Sequence, residues 1–171
     1  VFTLVYQPVV DVSKDNKVVS FEALVRWNNS ERGMIPPSEF IPIAEETGLI
    51  VPLGELILRG ACRQAKEWVD LGYTDLKIAV NFSAKQFSQG DLVHTLQSIL
   101  QETGLNPKNL KMEITEYTVM NDTKKTVEMM RQLTAMGVEI SIDDFGTGFS
   151  SLSYLKNFPV HTLKIDKSFV D

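Results

Sequence analysis

The chain has 171 residues, 43% of them hydrophobic and 23% charged, with 22 acidic against 17 basic residues and a formal net charge of −5. That describes one globular unit with ample apolar material for a core; it excludes a disordered tract and leaves no basic run to attract a nucleic-acid polymer. No apolar stretch approaches the ~20 residues needed to cross a bilayer, so no membrane contact is expected of this segment.

Val1 stands where an initiator methionine would, and reads as a domain boundary. "FTLVYQPVVD" and "VVSFEALVRW" read as two strands joined by the polar turn "SKDNK". "PSEFIPIAEETG" reads as a helix with Ser38 as N-cap and Gly48 as stop, and "LGELILRGACRQAKEWVDLG" as a longer one ending before Gly72. Within the latter, the lone Cys62 is a small core residue; with no partner for a disulfide, it suits a reducing cytosol. A rhythm follows: strand "LKIAVNF", helix "DLVHTLQSILQETG", strand "LKMEITE", helix "DTKKTVEMMRQLTAMG", strand "VEISIDD", short helix "SSLSYLKNF", strand "HTLKID". Such alternation predicts an α/β fold of parallel strands with helical crossovers.

Alternate residues of a strand face opposite sides of its sheet. Ile78, Val80, Met112, Ile114, Ile140, Ile142, Leu163 and Ile165 share the parity that crossover helices would cover. The opposite parity is polar, carrying Lys77, Asn81, Lys111, Glu113, Thr115, Glu139, Ser141, Asp143, Thr162, Lys164 and Asp166. The second strand repeats the rule, with Glu22 and Arg26 against Phe21, Ala23, Val25 and Trp27. A solvated face would explain this in an antiparallel sheet. Parallel crossovers favour a barrel interior instead, where Asn81, Glu113, Asp143 and Lys164 fall at the carboxyl ends of the strands, the end at which such barrels build active sites.

Glu22, Glu113, Glu116, Asp143, Asp144 and Asp166 would then converge on one mouth with Lys164 and Arg26 opposing them, a charge excess that calls for cations. An all-oxygen donor set with an asparagine amide and no nearby Cys or His favours Mg²⁺ or Mn²⁺ over Zn²⁺. The adjacent carboxylates Asp143 and Asp144 could flank two such ions, the arrangement that clamps a phosphoryl centre. For Lys164 the alternatives are a salt-bridge partner or a Schiff-base amine, and surrounding acids disfavour the second by stabilising ammonium. His94 and His161 read as structural.

"YQPVV", "FEALVRW", "VNFSAKQF", "EITE", "DDFGTGFSSLSYL" and "LKIDKSFV", in this order and at these separations, resemble the EAL-domain family of bacterial cyclic-di-GMP phosphodiesterases. The resemblance spans the chain and implies a modified TIM-type (β/α) barrel with one early antiparallel strand. It implies hydrolysis of cyclic di-GMP to linear 5′-pGpG by two divalent ions, with Glu22, Asn81, Glu113 and Asp143 as ligands of the first and Asp143 and Asp144 serving the second. Lys164 would contact the attacking water, Glu116 would hold the "DFGTGFSS" loop, and Gln7, Arg26 and Asp166 would bind substrate. The family's last two strand–helix units, with a late "AEGVE"-like glutamate and a guanine-binding glutamine, find no match, so the domain over 1–171 is expected to be incomplete at its C-terminus. The resemblance also leaves open a homodimer, and a GGDEF, sensor or membrane segment in a parent chain whose EAL part is cytoplasmic.

Overall fold

A computed structural model describes residues 1–88, 91–121, 123–147 and 155–169. Strands β1 (Phe2–Asp11) and β2 (Lys17–Asn29) form an antiparallel hairpin in which Gln7 lies opposite Glu22. Their connection turns through Asp15 and Asn16, both left-handed with φ of 53° and 56°, a conformation that Asp and Asn tolerate best among side-chain-bearing residues. The short β3 (Gly33–Ile35) folds back antiparallel on β2, so a second antiparallel strand joins the one expected.

Helix α1 spans Pro37–Thr47 and α2 Ile50–Asp70. Ser38 is not the N-cap of α1: the helix starts two residues earlier than that cap would set, with Pro36 at the cap position and no side-chain cap. Pro37 supplies a helix-ready φ at the first position and has no amide hydrogen to satisfy. Gly48 does close α1, left-handed at φ 81°.

Next come β4 (Lys77–Phe82), α3 (Ala84–Ser88), α4 (Leu92–Thr103), β5 (Leu110–Thr115), α5 (Glu116–Asn121), α6 (Thr123–Ala135), β6 (Glu139–Phe145) and β7 (Thr162–Ile165). Helix α4 is capped at both ends, by the Asp91 carboxylate on the His94 amide and by left-handed Gly104. The short helix expected over 150–158 falls mostly on residues outside those described.

The strands form one sheet in the order β1-β2-β4-β5-β6-β7, parallel from β2 to β7, with β1 and β7 as its edges and no closure among the described residues. Ile78, Val80, Met112, Ile114, Ile140 and Ile142 are at most 1% exposed and pack with Leu58, Ala61 and Cys62 of α2, Leu96 and Ile99 of α4, and Met130 and Leu133 of α6. Each large side chain so buried contributes about 1.5–3 kcal/mol. Leu163 and Ile165, expected on that covered face, are 40% and 67% exposed, because no described helix lies over β7.

Burial pushes the Cys62 thiol up to about 12, as befits a packing residue. His161 is structural too, its Nδ1 accepting from the Ile140 amide at 3.2 Å and tying the start of β7 to β6.

One contact between α2 and α3 has no slack. A Cβ on Gly54 would lie 1.8 Å from Gln86 Nε2, while Gln86 Oε1 accepts from the Ser83 amide at 2.9 Å and holds the chain just beyond β4.

Candidate active site

The parallel register sets Asn81 of β4 beside Glu113 of β5, and Glu113 beside Ser141 of β6, all on the face turned away from the helices. Glu22 reaches the same place from β2, and Lys164 from β7. The Lys164 ammonium donates to Glu113 Oε2 at 2.8 Å, Glu22 Oε2 at 3.2 Å and Asp143 Oδ2 at 3.3 Å. Asn81 Nδ2 donates to Glu22 Oε1 at 2.8 Å, which leaves its amide oxygen, an acceptor, as the atom that could ligate a cation.

Oxygens of Glu22, Glu113 and Asp143 lie within 4.8 Å of one another. Three carboxylates against one ammonium leave two negative charges unmatched, and at that separation each like-charge pair costs on the order of 3 kcal/mol at an effective dielectric near 20. Burial raises the Glu113 carboxyl above its usual range, with the Lys164 hydrogen bond opposing the shift. Burial alone would lower Lys164, yet its hydrogen bond to Glu113 and the charges of Glu113, Glu22 and Asp143 outweigh this and raise it. The amine is therefore held as ammonium, which disposes of a Schiff-base role.

Asp144 follows at the end of β6 with φ 53°, and its amide donates to Asp143 Oδ1 at 2.9 Å. That left-handed turn breaks the alternation that would send neighbouring side chains to opposite faces. Burial first, then the charges of Asp143 and Asp166, raise the Asp144 carboxyl. These oxygens, with the Asn81 amide, fit a hard divalent cation: they are carboxylates in excess of their counter-charge, without sulfur or imidazole among them.

The convergence of six acids against two bases is corrected to something smaller. Glu116 leaves the cluster: as the first residue of α5 it is buried, and its Oε2 accepts from the Gly146 amide at 3.1 Å, holding the segment that follows β6. Asp166 still bears on Asp144 through its charge but is engaged by the Ser168 hydroxyl and then by the Ser168 amide at 2.9 Å, which lower its carboxyl below the usual range. Arg26 shares the face of Glu22 but opposes no acid among the described residues; its Nη1 donates to Val25 O at 2.9 Å. Gln7 is exposed opposite Glu22. Of the "DFGTGFSS" loop, residues 148–151 lie outside those described. Sequence reasoning passed over Gln86, whose grip on the residue two positions after Asn81 carries no periodic or motif signal.

The sequence matches the EAL domain family over residues 1–171. It is 48% identical over 166 residues to the bifunctional diguanylate cyclase/cyclic di-GMP phosphodiesterase MucR of Pseudomonas aeruginosa, covering 97% of this chain and 24% of that protein. With the cyclic di-GMP phosphodiesterase PdeR of Escherichia coli it shares 41% identity over 165 residues, 96% of this chain and 24% of the relative. The chain thus spans about a quarter of the length of these curated relatives. Its fold superposes with a TM-score of 0.94 on the PaMucR phosphodiesterase solved as a c-di-GMP complex, at 47% identity, covering 99% of this chain and 68% of the other. Motifs, topology and relatives agree: the chain belongs to the EAL-domain family.

Proposed function

We propose that this chain carries the catalytic site of a cyclic-di-GMP-specific phosphodiesterase, which opens one phosphodiester of cyclic di-GMP to give linear 5′-pGpG. The observation that carries the reading is the Lys164 ammonium bound by Glu22, Glu113 and Asp143 beside the Asn81 amide. The names of MucR and PdeR support the substrate. Glu22, Asn81, Glu113 and Asp143 would hold one Mg²⁺ or Mn²⁺, and Asp143 with Asp144 a second. Such ions supply Lewis acidity and lower the pKa of bound water.

The chain's own residues do the rest. Lys164, kept protonated by its acids, would donate to the attacking water and orient it with a hydrogen released when bound cations take over its carboxylate partners. Arg26, on the same face and four residues beyond Glu22, meets a substrate phosphate, a planar cation suited to a tetrahedral anion. Gln7 and Asp166 contact substrate at the rim, and Glu116 keeps the loop after β6 in place through Gly146. The parent protein is taken to be cytoplasmic in this part and to carry a GGDEF or sensor domain; no described helix is long and apolar enough to cross a membrane.

The test is cyclic di-GMP turnover by the parent protein, with pGpG followed by chromatography. Product with Mg²⁺ or Mn²⁺, and little with Ca²⁺ because its looser coordination positions water badly, is the expected result. Binding of cyclic di-GMP without product under every divalent would overturn the enzyme in favour of a receptor.

A further inference from the structure

Ser141 occupies the middle of β6 on the inner face, two residues before Asp143, directly across from Glu113 on β5 and Thr162 on β7. It is 0% exposed, and its hydroxyl is the one fully buried side-chain polar atom without a hydrogen-bond partner among the described residues. Leaving such a hydroxyl unpaired costs about 1–3 kcal/mol. Alanine would fill the same slot without that penalty, so the group calls for a partner the fold itself does not provide.

Its neighbours narrow the choice. Toward the amino end of the strands, Lys77 is engaged with Glu139 at 2.7 Å and with the Lys108 carbonyl at 3.0 Å. Toward the carboxyl end, the three hydrogens of Lys164 match the three carboxylates it already serves. The apolar flanks, Ile140 and Ile142, face the helices. Glu113 is different: Oε2 takes the Lys164 hydrogen bond, while Oε1 receives none from any described residue. A donor without an acceptor thus stands next in register to a buried acceptor without a donor.

We propose that Ser141 is a positioning residue for Glu113: its hydroxyl donates to the Glu113 carboxylate, directly or across one enclosed water, and fixes how that carboxylate faces the cation site. The inference rests on the metal reading of the cluster given above. A carboxylate ligand needs such a partner behind it, since orientation left to chance loosens the site.

Ser141→Ala removes the hydroxyl, and Ser141→Cys keeps its volume with a weak donor. Both are compared with the unaltered chain by Mn²⁺ titration calorimetry and by thermal melting without metal. The expected result is Mn²⁺ affinity lower by about 10-fold in both variants, with the melting temperature of Ser141→Ala lowered by no more than the loss of one hydrogen bond accounts for. Wild-type affinity in both variants overturns the inference and leaves the metal reading standing. A lower melting temperature with unchanged affinity also overturns it, making the hydroxyl a purely structural group. No Mn²⁺ binding by the unaltered chain overturns the metal reading itself, and this inference with it.

Discussion

Two charged clusters share the inner face of one sheet, at opposite ends of the strands, and they differ in arithmetic more than in geometry. At the amino ends, Lys77 donates to Glu139 at 2.7 Å and to a backbone carbonyl, each side chain 28% exposed, so one acid meets one base. At the carboxyl ends, three carboxylates share the single ammonium of Lys164, and the Glu113 side chain is only 5% exposed. The first arrangement is complete and serves the fold. The second is short of positive charge, and a cation is the cheapest way to relieve it.

The largest expected effect separates the two ends. Glu22→Ala should lower divalent affinity and cyclic di-GMP turnover by more than about 100-fold while leaving melting little changed, because it removes a ligand and a like charge together. Glu139→Gln should do the reverse, leaving metal affinity intact and lowering stability by about 1 kcal/mol through a half-buried Lys77 that has lost its counter-charge. Calorimetry and denaturant unfolding on both variants decide it; a Glu139→Gln protein that no longer binds metal would break the comparison.

A smaller effect tests the ammonium. Lys164→Met deletes the one positive charge among the acids, so Mn²⁺ affinity should rise about 10-fold even as turnover falls. If affinity fell instead, Lys164 would be supporting the cation rather than competing with it.

The smallest concerns a surface cluster with the ratio inverted: Glu102 of α4 accepts from both Arg59, at 2.9 Å, and Arg63 of α2. Hydrogen bonds from Arg59 and then Arg63 hold the Glu102 carboxyl below its usual range. A depressed carboxylate stabilises the fold above its unfolded pKa and loses that contribution as pH falls through the folded value. Glu102→Gln should therefore melt slightly lower at pH 7, and melting curves of the two proteins should merge in acid. A constant gap at every pH would assign the effect to packing.

What was legible follows from period and spacing. Two-residue alternation placed Glu22, Asn81, Glu113, Asp143 and Lys164 on one face without knowledge of any contact, and the parallel register brought them together. The three-residue β3 and the helices α3 and α5, at five and six residues shorter than two helical turns, leave no trace at their own period. The fates of Glu116 and Arg26 depended on backbone atoms: Glu116 found the amide of Gly146, which sits at φ 97°, and Arg26 the carbonyl of its own neighbour. Side-chain alternation says which face a residue is on; it does not say which amide it will meet there.

The contact of Gly54 with Gln86 implies something about how this sequence can vary. Position 54 has no room for even one methyl while the Gln86 amide group stays where it is, and in that place its oxygen accepts from the Ser83 amide. A side chain can appear at 54 only if residue 86 shortens or swings away, and the backbone beyond Asn81 then loses its anchor. The two positions, 32 apart in the chain, should therefore change as a linked pair in descendants of this protein, and a library randomising both should recover mostly glycine with glutamine, or a side chain at 54 joined to a small residue at 86.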